Sequence, residues 1–185
     1  MAPVKGINDE ELLLVEKAII SRRQINFTHK SRPITAEPLG LVYYSRLRQW
    51  YLVALADSMI KTYNLSLLEG IKELSKTFIY PPDFSLNAWL APRWGMEFGN
   101  PMRVKVRFIN RSQTLAKVRK DVAHRQCVLK EENGGKTLLY EDTVIGENEF
   151  MAWILGFGSA AEVLEPIEIR NQIIARVQAS LANYH

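Results

Sequence analysis

The stretch from Thr77 to Pro101 limits the fold most. Pro81-Pro82, Pro92, Gly95, Gly99 and Pro101 interrupt any long element there. Proline fixes φ and removes a backbone donor, and glycine loses more entropy than any other residue when it is held in regular structure. The residues before and after this stretch must therefore bury cores of their own. With 185 residues the chain is long enough for two small units. The connector also carries Phe78, Phe84, Trp89 and Trp94. Rings of that size predict a segment packed on protein, because left in water they would form a large apolar patch.

Ahead of the connector, Asn8 followed by Asp9, Glu10 and Glu11 reads as an N-cap with acids in the first turn, where the helix dipole favours them. The spacing of Leu12, Val15 and Ile19 predicts a helix ending near Arg22. Ile25 and Phe27 then alternate with polar residues, and Lys30 to Pro33 reads as a turn. Strands are predicted over Leu39–Tyr44, Trp50–Ala56 and Met59–Leu65. Short strands so closely spaced predict a strongly bent sheet or barrel. Beyond the connector the order is β-α-β-β-α-β-α, a split βαβ pattern with a terminal helix. Its hairpin turns at Asn133-Gly134-Gly135, where glycines supply φ > 0. Pro166 opens the last helix, which sets Ile169, Ile173, Val177 and Leu181 on one face. The expected divisions are an N-terminal helix at 1–22, a barrel at 23–76, the connector at 77–101 and a second domain at 102–185.

Net charge is only +4 but unevenly spread. Residues 21–61 hold seven cations against two acids, and residues 103–130 nine against one. Residues 131–170 reverse this, with nine acids against two cations. Such blocks point to an anionic partner or to complementary self-association. No apolar run approaches the ~18–20 residues of a membrane span, and the N-terminal Met1-Ala-Pro-Val-Lys-Gly6 lacks a signal-peptide core. A single cysteine, Cys127, fits a reducing compartment, so a cytoplasmic location is expected.

Enzymatic motifs are missing. His29, His124 and His185 are far apart, with no metal-ligand spacing. Gly134-Gly135 belongs to a hairpin rather than a phosphate loop, and Cys127 lies in an apolar strand as a core filler. Glu131-Glu132 and Glu141-Asp142 read as solvated strand ends. The expectation is a non-enzyme with neither metal nor cofactor.

Pro38-Leu-Gly-Leu41 followed by Trp50-Tyr51-Leu52-Val53-Ala54 resembles the signature of WYL domains. Ile60 to Leu65 resembles that family's next strand. Trp153 to Gly158, Ala161 to Pro166 and Ile169-Arg170 resemble the WCX extension that follows WYL domains. The resemblance implies an α+β protein in which a small Sm-like β-barrel precedes a ferredoxin-like domain. It also implies a homodimer and the sensing half of a bacterial transcriptional regulator. The winged helix-turn-helix that usually comes first, and that would contact DNA, is not among these residues, as expected of a piece of a longer regulator or of a free-standing WYL protein. The arginines that WYL domains carry after the WYL strand are here matched by Lys61 and Asn64, with Leu67 where another often sits. Lysine keeps the charge but loses the planar fork that grips phosphate at two points.

Alternation along the strand assigns Trp50 to the core and turns Tyr51 the other way, toward Lys61 and Asn64 if those strands pair. The expected groove holds Tyr51, Lys61, Asn64 and His29, with Arg46 or Arg48 at its rim. An aromatic face beside cations suits a base stacked near its phosphate, so the expected effector is a nucleotide or single-stranded nucleic acid. Arg107, Arg119, Lys120 and Arg125 are expected to form a second basic patch. The rival reading is a protein-interaction and dimerisation scaffold whose basic and acidic blocks pair between subunits.

Overall fold

The computed structural model describes residues 9–184. They form two units, divided between Leu86 and Asn87. The expected cap at Asn8 lies outside the described residues.

The first unit opens with helix α1 (Asp9–Ile20) and continues through β1 (Arg23–His29), β2 (Arg32–Tyr44), β3 (Gln49–Ala56), β4 (Met59–Asn64) and β5 (Leu68–Thr77). The strands form one antiparallel sheet in the order β4-β3-β2-β1-β5. β2 starts at Arg32, earlier than the sequence predicts, and runs through Pro33 and Pro38. Pro38 has no N–H for the ladder, and the register against β3 shifts between Pro38 and Gly40. β2 thus pairs with β1 through its first half and with β3 through its second. The resulting curl is strong. Tyr63 on β4 meets Phe27 and His29 on β1 at ring distances of 5.1 and 5.5 Å, although β3 and β2 lie between those strands in the sheet.

The expected barrel does not close. β4 and β5 are the two edges of the sheet, joined by a 3₁₀ turn, Leu65–Leu67, that takes the place of a ladder between them. α1 lays Val15 and Ala18 on Ile25, Phe27, Ala36, Leu52 and Ile71 to make the core. Lys17 and Arg23 both reach Glu73 of β5, at 3.5 and 3.2 Å. The connector's first part adheres to this unit. The Phe78 N–H donates to the Arg22 carbonyl at 2.9 Å, and the Tyr80 hydroxyl to the Leu39 carbonyl at 3.1 Å.

A short helix, α2 (Leu86–Leu90), spans the division. The second unit then runs β6 (Met102–Ile109), α3 (Thr114–Asp121), β7 (Val128–Glu132), β8 (Thr137–Val144), α4 (Glu147–Leu155), β9 (Ala161–Glu165) and α5 (Ile167–Ala182). Its sheet has the order β7-β8-β6-β9 with every neighbour antiparallel. α3 and α4 bury Leu115, Val118, Phe150, Met151 and Ile154 against Val104, Val106, Phe108, Leu138 and Tyr140. The other part of the connector belongs here. The Trp94 N–H donates to the Ile145 carbonyl at 2.6 Å and the Ile145 N–H to the Pro92 carbonyl at 2.8 Å. Gly146 caps α4 at φ 106°, and a Cβ there would sit 3.3 Å from the Trp94 carbonyl oxygen. The cap has no side chain, so Glu97 from the connector accepts two N–H groups of the first turn, those of Asn148 and Glu149, at 2.9 and 3.2 Å.

Along α5, Ile169 is buried and Ile173 partly packed on the core, whereas Val177 and Leu181 are exposed. The single apolar face read from the sequence is therefore covered only in its first half. Among the described residues no helix is long and apolar enough to cross a membrane.

Candidate effector-binding site

Strand register decides which of the expected groove residues can meet. Tyr51 lies directly opposite Asn64, and Lys61 opposite Ala54. Residues opposite each other share a face, and neighbours along a strand alternate. Tyr51 and Asn64 therefore occupy one face, together with Gln49 and Val53. Lys61 occupies the other, with Ala54, Leu52 and Tyr63, the face that α1 covers. The single groove expected from the sequence is split by the sheet itself. The Asp57-Ser58 turn between β3 and β4 fixes which residue opposes which, and a one-residue change of register moves a side chain to the other side.

On the Tyr51 face the side chains are tied together. Gln49 Oε1 accepts from Asn64 Nδ2 at 2.8 Å and from the Tyr51 hydroxyl at 3.3 Å. Asn64 Oδ1 in turn accepts from the Ser66 N–H at 3.1 Å and from its hydroxyl at 2.8 Å. The Tyr44 ring stands edge-on to Tyr51 at 6.4 Å. Gly40 lies on this same face, where an added Cβ would come within 2.6 Å of Leu86 Cδ2. Gln49 and Ser66 escape a reading by motif, since each acts only through the strand pairing. Arg48 immediately precedes Gln49 at φ 52°, and with Arg46 it forms the β2–β3 turn. At ~3.3 Å per residue, Arg48 sits about 10 Å from Tyr51 along the strand, and Lys61 is level with a point about 20 Å from Arg48.

The other face holds His29, Tyr63 and Lys61. Lys61 Nζ lies 2.8 Å from Asp57 Oδ2, and that hydrogen bond holds the ammonium above its ordinary pKa. Tyr63 is buried, its hydroxyl has no hydrogen-bond partner, and burial pushes it up. Burial, then Lys30, holds His29 below its usual value of 6.5. The folded state therefore prefers neutral His29, and as pH falls below about 6.5 the unfolded chain takes up the proton first. His29 thus contributes stability above that pH and loses it on acidification. The melting temperature of the first unit is expected to fall between pH 7.5 and 5.5, and His29→Gln to make that fall smaller. An unchanged difference in thermal melts would contradict it.

Trp50 packs on the first core and against Tyr43, with ring centroids 5.2 Å apart. The second basic patch is not a patch. Arg125 is buried, as described below, and Arg107 and Arg119 lie on opposite sides of the second sheet. Arg107 sits opposite Leu139 on the uncovered face. Arg119 pairs with Glu131, which sits opposite the core residue Leu138 on the helix side. Lys120 is exposed on α3.

The charge blocks cancel within the second unit. Arg103 and Lys105 reach Glu141 at 3.5 and 3.1 Å, and Arg107 reaches Glu162 at 3.2 Å. The two cations, Lys105 foremost, hold the Glu141 carboxyl below its usual range. Arg125 Nε lies 2.6 Å from Asp142. In the first unit, by contrast, Arg22, Lys30, Arg32 and Arg48 make no ion pair among the described residues. Also among the described residues, no three or more His, Cys, Asp or Glu side chains are placed to hold a metal ion. Cys127 is half-buried and its thiol is pushed up, mainly by burial, which disfavours the reactive thiolate.

Comparison with known proteins gives the family. Residues 10–73 match the WYL domain and residues 100–181 the WCX domain. No curated protein matches the sequence. Among solved structures, a CRISPR Cas-related protein is similar over 95% of this chain and 52% of its own, at 16% identity and a TM-score of 0.62. The proteasome accessory factor B/C of Arthrobacter aurescens is similar over 97% of this chain and 28% of its own, at 21% identity and a TM-score of 0.42. The chain thus spans about half of one of these proteins and little over a quarter of the other. With both models matched in order along it, the chain belongs to the WYL-domain proteins that carry a WCX extension.

Proposed function

We propose that the chain is the effector-sensing module of a WYL-type transcriptional regulator, without enzymatic activity. Its first unit binds a nucleotide or a single-stranded nucleic acid on the Tyr51 face of the curled sheet. The observation that carries this reading is the tied group Tyr51–Gln49–Asn64, set on one face beside the turn that carries Arg46 and Arg48. The Tyr51 ring offers a stacking surface, Gln49 and Asn64 offer hydrogen bonds to a base edge, and Arg48 offers a planar fork to a phosphate. A backbone separation of about 10 Å between Arg48 and Tyr51 along the chain suits a nucleoside and its phosphate. The unpaired cations of the first unit supply the sequence-independent attraction that makes such binding salt-dependent. Strand order and curl support the Sm-like reading of the first unit as an open relative of that barrel. The second unit's β8, inserted between β7 and β6, supports the ferredoxin-like reading. The scaffold reading loses part of its motive, since the acidic block pairs largely with the second basic block inside one unit.

The test is titration of a labelled single-stranded oligonucleotide and of common nucleotides at two salt concentrations. Base–aromatic stacking contributes ~1–3 kcal/mol per base, so Tyr51→Ala should weaken binding about tenfold or more. Binding indifferent to Tyr51→Ala, or none at low salt, would overturn the reading.

A further inference from the structure

Among the described residues, every arginine of the second unit but one finds an oxygen on another side chain. The exception is Arg93, in the connector just after α2. Its Nη1 donates to the Glu97 carbonyl at 3.3 Å, and its Nε is buried with no hydrogen-bond partner. Its Nη2 makes no hydrogen bond among the described residues, and the side chain as a whole is half-buried, so the fork is open at that end. The nearest acid in sequence, Glu97, turns its carboxylate to the start of α4, where Asn148 and Glu149 occupy it. Two rings stand where a counter-ion would. The guanidinium carbon lies 3.6 Å from the centre of the Trp89 ring and 5.8 Å from that of Phe98. Rings shield a cation from water without neutralising it, and a guanidinium stays protonated at any ordinary pH. Burial holds the Arg93 pKa below the usual arginine value, and no acid acts in the other direction.

The backbone around Arg93 is fixed. Its N–H donates to the Leu90 carbonyl at 2.8 Å, its carbonyl accepts from Arg125 at 2.9 Å, and the bonds joining Trp94 and Pro92 to Ile145 flank it. The group is therefore assembled before any ligand arrives. The geometry points to a carboxylate-binding site at Arg93, which takes a monocarboxylic acid with an apolar body. A flat carboxylate matches the planar fork of a guanidinium stacked on a ring. One uncompensated cation balances one negative charge, and Arg125, the other guanidinium joined to this loop, is already neutralised by Asp142. A phosphate dianion would bring a second charge to a place where one is enough. Phe98, 52% exposed, and the half-buried Trp89 offer the rest of the ligand an apolar surface. The site lies wholly in the second unit and does not depend on the reading of the Tyr51 face.

Benzoate is the probe, titrated into the ¹⁵N-labelled full chain and followed by NMR. The Trp89 indole and Arg93 Nε–H signals should shift saturably, and benzyl alcohol, which has the ring without the charge, should shift neither. Acetate should bind several-fold more weakly than benzoate, since it leaves the rings uncovered. Arg93→Gln, read at Trp89, should weaken benzoate about tenfold or more through the lost charged hydrogen bond. Arg93→Lys should lose nearly as much, because lysine lacks the fork. Arg103→Gln, at an exposed arginine of the same unit that already pairs with Glu141, should change nothing. Phe98→Ser should narrow the gap between benzoate and acetate, and on an exposed ring it keeps the test open if Arg93→Gln fails to fold. Inorganic phosphate should compete poorly. No saturable shift with benzoate at ~50 mM, equal affinity in wild type and Arg93→Gln, or phosphate binding tighter than benzoate would overturn the inference.

Discussion

Replacing Arg125 with methionine should destabilise the second unit by ~3–5 kcal/mol, the usual cost of breaking a buried ion pair by removing one partner. The Arg125 and Asp142 side chains are 3% and 7% exposed, with Nε 2.6 Å from Oδ2. The guanidinium also donates to the carbonyls of Arg93 and Pro92 at 2.9 and 3.2 Å, and its carbon lies 4.7 Å from the centre of the Trp94 ring. One side chain thus fastens the connector to the domain and neutralises a buried carboxylate. Asp142 would keep only the Tyr140 hydroxyl at 2.7 Å and the Thr143 N–H at 2.7 Å. Tyr140 cannot replace the lost positive charge, since a phenol is neutral or negative; burial and this hydrogen bond push its pKa far up and keep it a neutral donor. Methionine retains much of the apolar stem, so the loss is chiefly electrostatic. Adding Asp142→Leu removes the orphaned charge, and the double variant should fall short of the sum of the two single costs. Urea unfolding followed by tryptophan fluorescence is well suited, because Trp89, Trp94 and Trp153 all lie in the second unit. A loss below about 1 kcal/mol, the range of exposed pairs, would contradict this role.

Trp153→Ala should cost a similar ~3–5 kcal/mol as a large-to-small change. The indole is the hub of an aromatic cluster. Its ring lies 4.4 Å from Trp94, 5.1 Å from Phe157, 5.5 Å from Phe108 and 5.8 Å from Tyr140. Its Nε1 donates to Asp121 at 2.9 Å, the carboxylate that Lys117 also holds at 2.5 Å. Trp94 comes from the connector, so deletion of the ring opens a gap where connector, sheet and α4 meet. Trp153→Phe keeps most of the ring contacts and loses the hydrogen bond, and should cost only about 1 kcal/mol. Equal losses for the two variants in the same urea experiment would show that the hydrogen bond, rather than ring packing, dominates.

Legibility in the sequence followed the range of each interaction. Local patterns located α1, β3, β4, the Asn133-Gly134-Gly135 hairpin and α5, because periodicity, glycine and proline act over a few residues. The length of β2 was hidden by Pro33 and Pro38, which suggest breaks unless a bulge accommodates them. β5 carries Gly70 and a run of charges, so its place beside β1 rests on pairing with distant residues. The candidate site shows the same limit. Its residue types were legible, but the face each occupies depends on the Tyr51–Asn64 register, fixed by the turn between β3 and β4. Arg125 stands in a basic run and looks solvated. Its burial depends on Asp142 and on connector carbonyls that lie 32 and 33 residues away in sequence. The second basic block and the acidic block, which suggested partners at the level of the chain, pair with each other within one unit.

The separation of the two sheet faces leads to the most direct test. Binding of a labelled single-stranded oligonucleotide should be compared for wild type, Arg48→Ala and Lys61→Ala over a range of salt. Arg48→Ala should weaken binding and reduce the slope of log K against log salt by about 0.7, the share of one phosphate on a single strand. Lys61→Ala should leave both affinity and slope close to wild type, because Asp57 already pairs with it on the far side of the sheet. The opposite result, a loss with Lys61→Ala and none with Arg48→Ala, would place the effector on the α1-covered face and contradict the account.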